Sequence, residues 1–198
     1  MSFRDFLAVL GDSIGRAPPK IAPINIWSIA GLRRDELRNA AVLAWFLDPR
    51  GSHGLGSAAL RGFLAEVARR TPGWPNFSGD LSRVTVVTEE WPLGSETDRV
   101  DIAINGPDFA LFVEVKIDAF EGPDQLRRYA DLIERKALAF GRQHGRLIYL
   151  SPRVPQHPPS GLGTITWYGV AEALSTLPRK GMSGALAAQF ARHVRAFF

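Results

Sequence analysis

Residues 98–117, "DRVDIAINGPDFALFVEVKI", leave the backbone fewer choices than any other stretch of the chain. Two runs rich in Val, Ile, Leu and Phe flank Asn105-Gly106-Pro107-Asp108, a strong turn signal, so the stretch reads as a β-hairpin. Side chains alternate faces along a strand. Val100, Ile102 and Ile104 therefore share one face and leave Asp101 and Ala103 on the other. In the second strand Leu111, Val113, Val115 and Ile117 share a face, opposite Phe112, Glu114 and Lys116. If Asn105 pairs with Asp108, Asp101 faces Phe112, one pair from Glu114. A slip of two residues sets Asp101 directly against Glu114. Both registers place Asp101, Glu114 and Lys116 on one face, whereas a one-residue slip would turn them into the apolar face.

Charges inside a sheet are costly unless they are paired, bound to a cation or chemically employed. An ion pair of Lys116 with Glu114 or Asp101 is one reading. It leaves the third charge unexplained. Two carboxylates forced together repel and raise a pKa unless a cation sits between them. Mg²⁺, a hard ion that takes one or two carboxylates and keeps several waters, is the economical candidate.

Around the hairpin, apolar spacing predicts a short helix within residues 2–16 and a Pro-rich connector, "RAPPKIAP". A helix from near Asp35 to Leu47 and another over 57–70 follow. The period then turns extended at "RVTVVTEEW" (83–91), the first of a three-strand meander completed by the hairpin. A helix over about 123–140, a strand at 146–150, a further strand "TITWY" (164–168) and helical pieces near 169–176 and 183–197 complete the chain. This order implies a mixed α/β sheet containing an antiparallel hairpin. At 198 residues, with no boundary of composition, a single domain is expected. No cysteine is present, which excludes disulfides and thiolate metal sites. The N-terminal segment carries charges and too short an apolar run for a signal peptide, and no stretch matches a membrane span, so a cytoplasmic location is the expectation. A formal charge of +4 and a pI near 9.8 lean toward an anionic partner.

Asp101 followed by Glu114-Val115-Lys116 resembles the core signature of the PD-(D/E)XK nuclease superfamily, with Val100 where that signature has Pro. "EVKIDAFEGPDQLRRYAD" is similar to a branch with Glu-x-Lys-Ile and a following Gln-Leu-x-x-Tyr. "DELRNAAVLAWFLDPRGSHGLG" resembles the N-terminal block of the same branch. The resemblance covers about residues 25–150 and implies a restriction-endonuclease-like core with N- and C-terminal helical additions. It implies metal-dependent hydrolysis of phosphodiester bonds in nucleic acid, DNA foremost. Asp101 and Glu114, with the Val115 carbonyl, would hold Mg²⁺ (or Mn²⁺ in its place), and Lys116 would act on the water or the transition state.

Glu36 shares a helical stripe with Ala40, Leu43 and Leu47, so it is either a charge favouring the helix N-terminus or a site residue. The resemblance implies a catalytic place for Glu36, at the metal. Gln125 and Tyr129, four apart on one helix face, would line the mouth, touching DNA or holding the lysine, and Arg128 would contact substrate. Arg33, Arg34, Arg38, Arg127 and Arg135 flank these blocks and would add phosphate contacts. His53 in "GSHGLG" is expected to brace its loop, and one of Glu89 and Glu90 could join the site. No Lys-Ser/Thr follows those glycines, so a nucleoside triphosphate loop is not expected. The alternative is a catalytically idle binding or assembly subunit of a defence or repair complex. A homodimer or larger complex stays open.

Overall fold

The computed structural model describes residues 24–77, 79–92, 98–119, 122, 124–153, 155 and 157–197. The helix expected within residues 2–16 and its connector lie outside them. The described elements are α1 (Ile26–Ile29), α2 (Glu36–Leu47), α3 (Ala58–Arg70), β1 (Thr85–Glu90), β2 (Val100–Asn105), β3 (Phe109–Val115), α4 (Gln125–Ala139), β4 (His144–Leu150), β5 (Gly163–Ile165), α5 (Trp167–Ser175) and α6 (Gly181–Arg195). The strands form one mixed sheet in the order β1-β2-β3-β4-β5. β1, β2 and β3 are antiparallel neighbours, while β3, β4 and β5 run parallel. This is the mixed α/β sheet flanked by helices that the element order implies.

Hydrophobic side chains sort to the two faces. Ile102, Ile104, Leu111, Val113 and Val115 join a large cluster with Leu43 and Leu47 of α2, Phe63 of α3, Val170 of α5 and Phe190 of α6. On the other face Ala103, Phe112, Leu147 and Tyr149 meet Leu126, Tyr129 and Ile133 of α4. Covered on both faces, β3 is buried along its whole length, as the central strand of such a sheet must be.

The hairpin takes the second of the two registers. Asn105 pairs with Ala110 and Ile102 with Val113, and one step further along that register Asp101 stands against Glu114. The turn is therefore four residues long, closed by the Gly106 N–H donating to the Phe109 carbonyl at 2.9 Å. One face assignment changes. Val100 packs with Phe112 and Tyr129 and not with Ile102 and Ile104. The regular pleat breaks beside it, because Glu89, opposite Asp101 in the β1–β2 register, has φ 52.

The strand expected over 164–168 is also corrected. Only Gly163–Ile165 is extended, and Trp167 and Tyr168 open α5, because the Thr166 hydroxyl accepts the Gly169 N–H at 3.2 Å as an N-cap. β4 starts two residues earlier than expected, at His144. There α4 lies so close that a Cβ on Gly145 would sit 2.6 Å from the Ile133 carbonyl oxygen and 2.9 Å from Ala137 Cβ. Gly145→Ala should therefore destabilise the fold by about 1–3 kcal/mol. Urea unfolding would show this as a lower midpoint, and an unchanged midpoint would refute it.

Candidate active site

β2, β3 and α2 bring four charged side chains to one region at the end of the sheet. Glu114, on the central strand, is 2 % exposed in its side chain, and Lys116, just beyond the strand end, is 13 % exposed; their charged atoms, Glu114 Oε1 and Lys116 Nζ, are 2.5 Å apart. Asp101 Oδ2 accepts the Val115 backbone N–H at 2.8 Å, a side-chain bond where the ladder would otherwise continue. Gln125, the first residue of α4, donates from Nε2 to Glu114 Oε1 at 2.8 Å and receives the Gly122 N–H on its Oε1 at 3.2 Å. Each carboxylate keeps one oxygen, Asp101 Oδ1 and Glu114 Oε2, without a hydrogen-bond partner among the described residues.

The electrostatics follow from burial. Desolvation and the neighbouring Asp101 charge push the Glu114 carboxyl up to about 7, against the pull of Lys116. Burial also holds Asp101 above the usual carboxylate range, although the Val115 N–H and Lys116 oppose it. Burial works against the Lys116 ammonium, but Glu114 beside it outweighs that and raises its pKa. One lysine thus fails to neutralise the two acids, and Glu36 adds a further negative charge that both of them feel.

These residues suit a small hard cation. Two carboxyls of raised pKa, Glu114 buried and Asp101 partly buried, with an unbonded oxygen apiece among the described residues, are a donor set that Mg²⁺ accepts, since that ion takes one or two carboxylates and retains water. Among the described residues no group of three or more His, Asp or Glu is drawn together as a cage, so the protein's carboxylate share would be two. The Val115 N–H is engaged by Asp101, and its carbonyl lies at the same strand end, with Val115 set beside Leu150 of β4.

Glu36 reaches this region through backbone contacts. Its Oε1 accepts the N–H groups of Ile117, Asp118 and Ala119 at 2.7, 3.2 and 3.2 Å. The helix starts correctly because Asp35 caps it, accepting the Arg38 N–H at 3.0 Å. Tyr129 is 5 % exposed, and its hydroxyl donates to the Arg99 carbonyl at 2.8 Å while receiving a long 3.4 Å contact from Gln125. Tyr129 is therefore turned inward, and Gln125 touches Glu114 rather than the lysine.

Arg128 is exposed on α4, with Asp98 3.5 Å away, and Arg127 and Arg135 are exposed on the same helix. Arg33 and Arg38 are exposed near the start of α2, Arg38 with Asp35 at 3.5 Å. Arg34, expected to face phosphate, instead grips Asp118 through three contacts of 2.6–3.0 Å and the Phe197 carbonyl at 3.0 Å. A bidentate carboxylate is the better local partner for its fork.

Neither Glu89 nor Glu90 bonds to the acidic pair. Glu89 is paired with Arg99 at 2.7 Å, and Glu90 with the buried Lys136 on the α4 face. His53 braces its loop as expected. Its Nδ1 accepts the Leu55 N–H at 2.9 Å, which makes Nε2 the donor to the Asp48 carbonyl at 2.9 Å. A Cβ on Gly51 would touch that ring at 2.7 Å. Sequence reasoning did not find Trp167, whose indole N–H donates to the Lys116 carbonyl at 2.9 Å.

A family model described as the PD-(D/E)XK nuclease superfamily matches residues 24–164. That span contains Glu36, Asp101, Glu114, Lys116, Gln125, Arg128 and Tyr129, and stops before Trp167. No curated protein and no solved structure matches the chain.

Proposed function

The chain belongs to the PD-(D/E)XK nuclease superfamily, and from that premise we propose that it is a metal-dependent nuclease hydrolysing phosphodiester bonds, with DNA as its first-choice substrate. One observation carries the reading: a buried carboxylate, Glu114, and a partly buried one, Asp101, each with an oxygen left over among the described residues, beside a lysine 2.5 Å from Glu114. The Lys116–Glu114 ion pair by itself does not account for a second carboxyl beside it.

In this reading Asp101 and Glu114, with the Val115 carbonyl, hold Mg²⁺, for which Mn²⁺ substitutes. When bound, the ion lowers the pKa of water and neutralises charge on the scissile phosphate. Lys116 supplies a positive charge to the attacking water or to the transition state. Gln125 holds the Glu114 carboxylate in place, Tyr129 supports Gln125 from beneath, and Glu36 fixes the backbone after Lys116. Arg128, with Arg127 and Arg135 along the same helix, offers cations at the rim to the phosphate backbone. The idle-subunit alternative keeps this fold without turnover. Among the described residues no helix is long and apolar enough to cross a membrane.

The test is cleavage of single- and double-stranded DNA and RNA with Mg²⁺ or Mn²⁺, against EDTA. Cleavage abolished by EDTA supports the reading, and no cleavage of any substrate under any metal refutes it. Binding should also be salt-sensitive. With about four phosphate contacts, affinity for a short duplex falls about 10²-fold between 50 and 200 mM salt. A flat salt response in a fluorescence-anisotropy titration would sink the arginine-rim part of the proposal.

A further inference from the structure

β3 ends at Val115, so Lys116 and the three residues behind it leave the strand. Their backbone groups are nevertheless bonded one after another. The Lys116 N–H donates to the Leu150 carbonyl at 2.8 Å. The Lys116 carbonyl accepts the Trp167 indole N–H at 2.9 Å. The next three N–H groups all go to Glu36 Oε1, at 2.7–3.2 Å. Asp118 and Ala119 are exposed, and a chain end of that kind would ordinarily open easily.

Trp167 is itself 0 % exposed and is held by an edge-to-face contact with Phe197, ring centroids 5.4 Å apart. It opens α5, is capped by Thr166, and lies beyond residue 164, where the family match ends. An indole at that position fills more of the core than a Phe would, and it also supplies a rigidly placed donor. The donor is spent on the carbonyl of the one lysine in the candidate site.

We infer that Trp167 is a positioning residue for Lys116, and that with Glu36 it forms a two-sided clamp on residues 116–119. Trp167 holds the lysine's carbonyl from α5, and Glu36 holds the following amides from α2. With its backbone fixed on both sides, the Lys116 side chain is confined to the reach that brings Nζ to Glu114. The catalytic consequence rests on the nuclease reading, but the clamp itself does not.

Amide hydrogen exchange on the whole, metal-free chain tests it. In the unaltered protein the 116–119 amides should exchange as slowly as strand amides. Among the five tryptophans, the Trp167 indole proton should exchange among the slowest. Fast exchange at either place would overturn the clamp without any variant. Trp167→Phe keeps a buried ring and removes the donor. It should speed exchange at 116–119 about tenfold, as expected for one lost hydrogen bond, with the Ile148 amide changed less than about twofold.

Phe190→Leu, a core change away from the site, serves as the control of reduced melting temperature; it should not reproduce the local pattern. Glu36→Gln keeps an acceptor oxygen and should retain the protection, while Glu36→Ala should lose it. Equal losses in the two Glu36 variants, or a uniform rise in Trp167→Phe, would refute the clamp. In cleavage, Trp167→Phe should lower kcat about tenfold with KM within about twofold. A protein that cuts nothing would end the nuclease reading and leave the exchange result standing.

Discussion

Lys116→Ala should lower kcat by about 10²–10³-fold, the usual loss on removing one charge-stabilising group from a transition state, while the protein stays folded. The lysine lies 2.5 Å from Glu114 Oε1, in a region only 13 % and 2 % exposed at the two side chains. If the pair served the fold alone, truncation would strand a buried carboxylate and cost about 3–5 kcal/mol. This protein has two ways to avoid that cost. Glu114 already titrates at about 7, so at neutral pH it can take a proton in place of its lost partner. Gln125 also continues to donate to the same oxygen.

The expected loss of stability at neutral pH is therefore about 1 kcal/mol or less. Added Mg²⁺ should recover it, because Nζ no longer competes for Glu114. Asp101→Asn makes the comparison. It can still accept the Val115 N–H yet loses the charge, so it should fold, bind Mg²⁺ weakly and not cleave. Single-turnover cleavage run beside thermal melting, with and without Mg²⁺, reads all of these. A Lys116→Ala protein that melts far lower and gains nothing from Mg²⁺ would make the lysine structural.

Much of the sheet can be read from the amino-acid order, because the hairpin signals its own geometry. Alternation put Asp101, Glu114 and Lys116 on one face in either permitted register. Which register occurs depended on tertiary packing: Phe109 joins the core cluster, which extends the turn by two residues and brings Asp101 opposite Glu114. Misreadings arose where a local cue and the pattern disagreed. Aromatic Trp167-Tyr168 looks like strand, yet Thr166 caps a helix there. Arg34 looked like a phosphate contact until Asp118, 84 residues away, offered it a carboxylate.

The partners of the site were less legible than the site itself. The stripe of Glu36 fits a helix-dipole charge as well as a site residue and only the resemblance points to the site; its bonds to residues 117–119 are not a periodic feature and no spacing announces them. Trp167 and His193, whose ring Nε2 meets the Arg33 carbonyl at 3.0 Å, come from the C-terminal helices and act on backbone atoms. A side chain that bonds to another residue's backbone leaves no mark on that residue's identity. Pairing of that kind is invisible to composition and spacing alike.

Without metal, the protein should be more stable at about pH 5.5 than at pH 8, and Mg²⁺ should reverse the order. Glu114 moves from an ordinary 4.5 when unfolded to about 7 when folded. Between those values the folded chain holds a proton that the unfolded chain has released, so unfolding free energy falls as pH rises through the window. The full drop for a shift of that size is about 3 kcal/mol, and Asp101, also raised, works in the same direction. Lys116 acts elsewhere. Raised from 10.5, it contributes stability that is complete below that value and lost only as pH climbs through its folded pKa.

A cation bound by the ionised acids must displace the Glu114 proton below about pH 7. Apparent Mg²⁺ affinity should therefore rise about fivefold from pH 6 to 7 and by no more than about twofold above that. Stabilisation by millimolar Mg²⁺ should accordingly be small at pH 5.5 and large at pH 8. Glu114→Gln should flatten the metal-free profile and remove most of the Mg²⁺ response, because the amide has no proton to lose and no charge to offer. Urea unfolding at three pH values, in EDTA and in Mg²⁺, reads both effects together. Equal Mg²⁺ stabilisation at pH 5.5 and pH 8 would mean that the ion binds somewhere other than on these two carboxylates.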